Sequence, residues 1–268
     1  MTTQHEKAEA LKMLHEGSDT FVIPNPWDTG SARVFESLGF KALATTSSGF
    51  AYTLGRLDGT VTLEEKIAHC RILSAATDIP ISADLENGFS HEIKAVAETI
   101  TRIAEAGAVG GSIEDYSREE LYDFNQAVER VAAAAEAAQS LEFPFALTAR
   151  AENLLRGRND MDDTIRRLQA FEAAGADVLY APGLKTIEEV QQVIKEVNKP
   201  VNVLATMIPG ITVAELAEAG VKRISIGGAL AHVAYGALVD GAREMQEAGS
   251  FSWLANRSAD NDVRPLLG

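Results

Sequence analysis

A chain of 268 residues is long enough for one large domain or two small ones, and a formal net charge of −15 argues against binding to the phosphate backbone of nucleic acids. With 46% hydrophobic and 24% charged residues the chain can build a sizeable core, yet no apolar run approaches the roughly 18 residues that cross a membrane. The single cysteine excludes an internal disulfide and the polar N-terminus lacks the apolar segment of a secretory signal, so we expect a cytoplasmic protein.

Eight short apolar segments recur along the chain, separated by longer amphipathic segments. They are continuously apolar rather than alternating, which is typical of parallel strands buried on both faces. In chain order these candidate strands are residues 21–24, 42–46, 81–84, 111–114, 145–150, 178–181, 201–204 and 223–226.

The intervening segments carry helix start and stop signals. Capping boxes begin at Thr62, Thr186 and Thr212. A glycine that ends a helix shortly before the next strand recurs four times, at Gly39, Gly107, Gly175 and Gly220.

Eight such units in about 250 residues predict an α/β protein, a single-domain (β/α)8 TIM barrel over residues 1–249 followed by a tail at 250–268. The main alternative is a doubly wound open sheet. That fold more often carries a glycine-rich phosphate loop after its first strand, where this chain has the segment 23–28, Ile-Pro-Asn-Pro-Trp-Asp.

Acidic residues stand where the strands of such a barrel end. Asp84 and Glu86 follow the third candidate strand two residues apart, which places them on the same side of an extended chain. Asp58 lies in the loop after the second strand, where it could also be a turn residue, and Glu114 ends the fourth strand. Carboxylates that converge from neighbouring strand ends suit a hard cation such as Mg²⁺, with water in the remaining positions.

Other polar residues at the strand ends are candidates for substrate binding. Arg150 ends the fifth strand and offers a planar fork to a carboxylate, although it could instead only pair with one of the acids. Asp28 follows the first strand, where capping the first helix is an equally good reading. The remaining candidates are Trp27, Asn202 and the hydroxyl-and-amide stretch Thr46, Ser47 and Ser48.

Several motifs occur in a specific order: Trp27-Asp28 with Ser31-Ala32, Thr53-Leu54-Gly55 with Asp58, Asp84-x-Glu86-x-Gly88-Phe89, Ser112-Ile113-Glu114-Asp115, and Ala149-Arg150-x-Glu152. Together they resemble the isocitrate lyase/phosphoenolpyruvate mutase superfamily. The resemblance implies a Mg²⁺-dependent barrel, with Mn²⁺ as an alternative ion, that acts on a small 2-oxo or 2-hydroxy carboxylate through an enolate. It also implies tetramers that exchange C-terminal helices, a metal site at Asp58, Asp84, Glu86 and Glu114, and a substrate arginine at Arg150.

The loop after the fourth strand departs from the family pattern. The lyase branch carries a Lys-x-Cys-Gly-His loop whose cysteine protonates the enolate, whereas here residues 115–120 read Asp-Tyr-Ser-Arg-Glu-Glu. The mutase branch carries a Glu-Asp-Lys run, and here Tyr116 replaces the lysine. Glu86 also stands where many members have aspartate. We therefore expect Tyr116 or Ser117 to replace the missing proton donor.

Three functions remain open at this point. The leading hypothesis is a Mg²⁺-dependent carbon–carbon lyase. The alternatives are P–C bond chemistry of the phosphoenolpyruvate phosphonomutase or phosphonopyruvate hydrolase type, and a catalytically silent protein that binds an α-keto acid. We expect a small carboxylate as substrate, no nucleic-acid or membrane partner, and a homo-oligomer, a dimer or tetramer, because the apolar tail residues Phe251, Trp253 and Leu254 need a cover.

Overall fold

The computed structural model describes residues 2–256 and 260–267. Its eight strands fall on the eight segments predicted from the sequence, within one residue at their starts. They are β1 (Phe21–Val22), β2 (Leu43–Ala44), β3 (Ile81–Asp84), β4 (Gly110–Glu114), β5 (Ala146–Arg150), β6 (Val178–Tyr180), β7 (Val201–Leu204) and β8 (Arg223–Ser225).

All strands are parallel and form one sheet in the order β1-β8-β7-β6-β5-β4-β3-β2. The segment after β1 closes this sheet against β2. The Ala44 N–H donates to the Pro24 carbonyl at 3.0 Å, and the Asn25 amide donates to the Thr45 carbonyl at 3.3 Å. The predicted (β/α)8 barrel is thereby confirmed.

Helices surround this barrel. They are α1 (Gln4–Glu16), α2 (Thr29–Ser37), α3 (Ser47–Thr53), α4 (Leu63–Ala76), α5 (Ile93–Glu105), α6 (Phe124–Gln139), α7 (Met161–Ala173), α8 (Ile187–Glu196), α9 (Val213–Glu218), α10 (Ala229–Glu247) and α11 (Asp260–Val263). Short 3-10 helices occupy Ala205–Met207, Ser252–Asn256 and Arg264–Leu266.

The helix signals read from the sequence are largely confirmed. Thr62 and Thr212 form complete capping boxes, and all four glycines at the predicted helix ends have positive φ. Thr186 caps α8 with its own side chain, but the Glu189 carboxylate accepts the Lys185 N–H rather than that of Thr186, so this capping box is incomplete.

The apolar core lies mainly between the sheet and the helices. Ile100 and Ile103 of α5 and Phe171 of α7 are fully buried there. Helix α1 closes the amino-terminal end of the barrel, where Leu11 packs with Val109 next to β4. The opposite end, where the strands finish, is left for the loops that carry the acidic residues.

Helix α10 differs from the others because only Ala231 and Gly241 of its 19 residues are buried. Its exposed apolar side chains are Leu230, Val233, Leu238, Val239 and Met245. The chain beyond it folds back, and Ser37 on α2 donates to the Leu266 carbonyl at 2.9 Å. Within the described ranges, no helix combines the length and apolar character that a membrane span requires.

Candidate active site

The carboxyl ends of β3, β4 and β5 bring one arginine and three carboxylates into a buried cluster. Arg150 Nη1 lies 3.2 Å from Asp84 Oδ1, and its Nη2 lies 3.2 Å from Glu114 Oε2. Its Nε and Nη2 also donate to Glu152 Oε1 at 3.0 and 2.6 Å. Glu114 and Arg150 are register partners on adjacent parallel strands, so their side chains project to the same side of the sheet.

Two further arginines reach this cluster from loops. Arg156 Nη2 lies 2.9 Å from Glu152 Oε2 and 3.8 Å from Glu114 Oε1. Arg118, in the loop between β4 and α6, has a φ of 81° and places its Nη2 2.8 Å from Glu86 Oε2. The acids at the strand ends are therefore paired with guanidinium groups.

Backbone groups and a buried lysine fix the position and charge of Asp84. The Ser47 N–H donates to Asp84 Oδ2 at 3.1 Å, and the Glu86 N–H donates to Asp84 Oδ1 at 3.3 Å. Burial favours the neutral acid, but Arg150, Lys66 and these two N–H groups together hold the pKa of Asp84 below its ordinary value. Asp84 is thus kept ionised.

Two other acids at this end of the barrel, Glu86 and Glu114, are held differently. Burial, reinforced by the charge of Asp84, raises the pKa of Glu86 despite its contact with Arg118. Burial likewise raises the pKa of Glu114 well above its ordinary value, against the attraction of Arg150. These two carboxyl groups therefore take up a proton more readily than Asp84 does.

The loop after β3 adopts an unusual backbone that a buried arginine supports. Glu86 and Phe89 have φ values of 49° and 61°, in the left-handed region that non-glycine residues rarely occupy. Arg130 of α6 donates to the carbonyls of Asn87, Ser90 and His91. These three bonds hold the loop, and with it Glu86, in place.

A cavity of about 210 Å³ opens beside the ion cluster. Loops and strand ends contribute Thr46, Ser47, Ser48, Asp58, Asp84 and Arg150 to its wall. The barrel interior contributes Tyr180, Asn202, Arg223 and Ser225, and the turn after β8 contributes Gly227 and Gly228. The cavity therefore joins the predicted hydroxyl-and-amide stretch to the acids and to Arg150.

Four predicted site residues have other roles in the structure. Asp28 is exposed and caps α2, since its Oδ1 accepts the Ser31 N–H at 2.7 Å. Trp27 uses its carbonyl to bind His69 Nε2 at 3.0 Å. The Tyr116 hydroxyl donates to the Arg118 carbonyl at 3.1 Å, and Ser117 Oγ accepts the Glu120 N–H at 2.9 Å. In the part of the chain that the structure describes, none of these four side chains lines the cavity.

The predicted metal residues fit an ion that is bound largely through water. Within residues 2–256 and 260–267, no three acidic, histidine or cysteine side chains converge as direct ligands. Mg²⁺ usually keeps several waters and takes only one or two carboxylates from the protein. Asp84 lines the cavity, and the neighbouring Glu86 has a buried Oε1 without a hydrogen-bond partner. Asp58, on the cavity wall, and Glu114, in the ion cluster, add further oxygen donors.

The sequence did not predict a functional role for several residues of the site. Glu152 is fully buried and pairs with Arg156. The spacing of four residues between them was the one feature of the sequence from which this ion pair could have been predicted. Arg118 offered no signal, because its contact with Glu86 spans 32 residues of sequence. Tyr180, rather than Tyr116, is the tyrosine that lines the cavity, and burial raises its pKa to about 12.

Comparison with known proteins agrees with this geometry. The family model described as phosphoenolpyruvate phosphomutase matches residues 11–246. A crystal structure from Burkholderia cenocepacia, provisionally described as a lyase/mutase, has a TM-score of 0.94 and 48% identity, covering 98% of this chain and 95% of that chain. An uncharacterised protein of Mycobacterium tuberculosis is 34% identical over 216 residues, 80% of each chain. An oxaloacetate decarboxylase of Paraburkholderia xenovorans is 28% identical over 262 residues, 94% of this chain and 85% of the relative. The chain therefore belongs to the isocitrate lyase/phosphoenolpyruvate mutase superfamily.

Proposed function

We propose that this protein is a Mg²⁺-dependent lyase that cleaves a carbon–carbon bond in a small 2-oxo or 2-hydroxy carboxylate through an enolate. One observation carries the proposal: the cluster of Asp84, Glu114 and Glu152 around Arg150 opens on the 210 Å³ cavity at the end of the barrel where enzymes of this fold act. A relative whose name describes a decarboxylation of a 2-oxo acid adds support.

The residues of the cavity can be given roles in this reaction. A bound Mg²⁺ supplies a Lewis acid that stabilises negative charge on an enolate oxygen. Asp84, with Glu86, Asp58 and Glu114, would hold the ion and its waters. Arg150 presents a guanidinium to the substrate carboxylate, and the hydroxyls of Ser47 and Ser48 offer donors to a second polar group.

Tyr180 is the candidate proton donor that best fits the geometry. It lines the cavity beside Arg150, whose guanidinium lies 5.2 Å from the centre of its ring. Burial raises its pKa to about 12, so the phenol keeps its proton at neutral pH and can donate it to a developing carbanion. This assignment replaces Tyr116 and Ser117, which bind the backbone of their own loop.

Substitution of Asp84 tests the proposal. Asp84→Asn should lower turnover of the active compound in a panel of 2-oxo and 2-hydroxy acids at least a hundredfold, since the metal contributes roughly several kcal/mol. It should also remove the calorimetric signal of Mg²⁺ uptake in the presence of oxalate. Asp240→Asn, on the exposed part of α10, makes the same change of charge and should affect neither measurement. An Asp84→Asn variant with wild-type activity would contradict the proposal.

P–C bond chemistry is the second candidate, because the matching family model is that of a phosphoenolpyruvate phosphomutase. Phosphorus NMR of the protein with phosphonopyruvate separates the two, since only this chemistry converts a phosphonate resonance into that of a phosphate or phosphate ester. A silent binding protein would instead be stabilised by Mg²⁺ with oxalate but turn over nothing in either assay.

We also propose that the protein forms a homo-oligomer and works in a reducing, cytoplasmic compartment. The exposed apolar side chains of α10, among them Val233 and Leu238, support the oligomer. The buried thiol of Cys70, the only cysteine of the chain, supports the compartment.

A further inference from the structure

The interior of the barrel is unusually polar. Branched aliphatic side chains normally fill this space. Here the cavity wall inside the barrel includes Ser82 of β3, Ser112 of β4, Asn202 of β7 and Ser225 of β8. Small hydroxyl side chains leave space that larger apolar ones would fill, and the cavity extends through this space to Arg223 at the start of β8.

Arg223 is buried and bonded to neutral groups. Its Nε donates to Asn202 Oδ1 at 2.8 Å, its Nη2 donates to Thr148 Oγ1 at 2.9 Å, and its Nη1 lies 3.3 Å from His15 Nε2. His15 Nδ1 lies 2.9 Å from the Leu11 carbonyl, so Nδ1 carries the hydrogen and Nε2 accepts from Arg223. Burial, with the charge of Arg223, lowers the pKa of His15 to about 3, which keeps the imidazole neutral.

Among the residues that the structure describes, no acid compensates the charge of Arg223. Two other buried arginines of the barrel do have acids: Arg150 has three, and Arg167 pairs with Asp115 and Asp163 at 2.9 Å. No ion pair within the described ranges includes Arg223, although only 4% of the residue is exposed. Burial lowers its pKa to about 10, which still leaves it charged at neutral pH. A buried charge without a counter-charge is costly, and this one borders a cavity.

The cavity wall near Arg223 offers hydrogen-bond donors rather than carboxylates. A guanidinium has five N–H donors, of which Arg223 uses three within the protein. The hydroxyls of Ser82 and Ser112 line the same cavity. A cation with two unused N–H donors beside hydroxyl groups is chemically matched to an anion.

Arg223 and Arg150 stand at separate places in the same row of the sheet. Glu114, Arg150, Tyr180, Asn202 and Arg223 are successive register partners on β4 to β8. Arg150 and Arg223 thus lie in one row of inward-facing residues, three strands apart, and both line the cavity. Acids surround Arg150, whereas the described hydrogen-bond partners of Arg223 are a hydroxyl, an amide and an imidazole.

We propose that Arg223, with the hydroxyls of Ser82 and Ser112, forms a second carboxylate-binding subsite inside the barrel, separate from Arg150. The subsite itself needs neither metal nor turnover, whereas its use by a substrate rests on the proposed function. The cavity that Arg150 and Arg223 share has a volume of about 210 Å³, several times the roughly 30 Å³ of one water molecule, so it has room for a small carboxylate.

Formate in the absence of Mg²⁺ is a suitable probe, because it is the smallest carboxylate. The unfolding temperature of the wild-type protein should rise with formate and reach a plateau, at constant ionic strength. Arg223→Gln should remove this rise. Ser112→Val, which narrows the space but leaves Arg223 intact, should remove it as well, and it keeps the test decisive if Arg223→Gln does not fold.

Arg130→Gln is the matched control. Arg130 is also a buried arginine without an acid among the described residues, but its Nη1 and Nη2 donate to three backbone carbonyls and it is not part of the cavity wall. This variant should be less stable yet keep the full response to formate. The proposed subsite would be contradicted if formate did not raise the unfolding temperature of the wild-type protein. It would also be contradicted if formate raised that of Ser112→Val as much as that of the wild-type protein.

Kinetics then identify the source of the carboxylate. If the substrate itself occupies the subsite, formate inhibits turnover competitively and Arg223→Gln raises KM more than it lowers kcat. If a free carboxylate occupies it, formate stabilises the protein without competing. Should no substrate be turned over, the Mg²⁺-free response to formate still decides the subsite, so failure of the proposed function and failure of the subsite are distinguishable.

Discussion

The Arg150 guanidinium lies 2.6 Å from the carboxylate of Glu152, which is fully buried only two residues further along the chain. Because Glu152 engages both Nε and Nη2, it fixes the plane of the guanidinium. Nη1 is thereby directed to Asp84 and Nη2 also reaches Glu114. Arg150 is thus at once the counter-charge of three acids and the cation of the cavity wall.

Arg150→Met should destabilise the protein by about 3–5 kcal/mol, because removing one partner leaves buried charges uncompensated. Arg102→Met is the matched control, since Arg102 makes an equally short contact with Glu64, at 2.6 Å, on the surface. That variant should lose less than about 1 kcal/mol. Urea unfolding at pH 7 measures both, and similar losses for the two variants would contradict the central role of Arg150.

Stability should fall as the pH decreases below neutral, in part because of His69. Burial, with the nearby charge of Lys66, lowers the pKa of His69 to about 3 from the ordinary value of 6.5. Between these values the unfolded chain binds a proton that the folded protein excludes. The contribution of His69 to stability is therefore fully present above pH 6.5 and decreases towards pH 3, by up to about 1.4 kcal/mol per pH unit.

His69→Gln isolates this effect. The variant should show a shallower decrease of unfolding free energy between pH 6.5 and pH 4 than the wild-type protein, whatever its stability at pH 7. Chemical unfolding at several pH values provides the comparison. Equal slopes for the two proteins would show that the folded state binds the proton at His69.

Gly183→Ala should be much more damaging than Gly157→Ala. Both glycines have positive φ, 102° and 80°, so both substitutions incur the backbone strain of about 1–2 kcal/mol. At Gly183 the added Cβ would also lie 2.7 Å from the Leu155 nitrogen, whereas at Gly157 nothing lies within 4 Å. Thermal unfolding should rank the variants accordingly. Because Leu155 lines the cavity, Gly183→Ala should also change substrate affinity.

Charges placed on α10 should break the proposed oligomer. Val233 and Leu238 are 66% and 63% exposed, so a double change to aspartate costs little within one subunit. We expect the wild-type protein to sediment as a dimer or tetramer and the double variant to approach the monomer mass of 28.7 kDa. Met13→Asp, at a residue 69% exposed on α1, is the control and should leave the mass unchanged. A monomeric wild-type protein would refute the oligomer.

The sequence was most informative where a residue reports on its own chain neighbours. The apolar segment 81–84 and the glycine at 107 depend on local backbone and burial preferences, and both behave in the structure as predicted. Thr186 shows the limit of such signals. It caps α8, but which N–H group donates to the Glu189 carboxylate depends on the loop before the helix.

Only part of the candidate site could be predicted from the sequence in the same way. Asp84 and Arg150 stand out because a charge directly after an apolar strand must be satisfied at the end of the barrel. The place of Tyr116 in a loop motif suggested it as the proton donor, whereas the geometry favours Tyr180 on the cavity wall. The Tyr116 hydroxyl binds the Arg118 carbonyl, a contact that depends on how the loop folds back.

By itself, the order of apolar segments, caps and glycines determined the barrel and the set of acids at its open end, since these follow from periodicity and position along the chain. Only the tertiary structure decided how those acids are shared among Arg118, Arg150 and Arg156, and that none of the described acids pairs with Arg223. The physical reason is that a charge is stabilised or left uncompensated by groups distant in sequence. Arg118 and Glu86 are 32 residues apart, and Arg223 and His15 are 208 apart, so their pairing exists only once the sheet has closed.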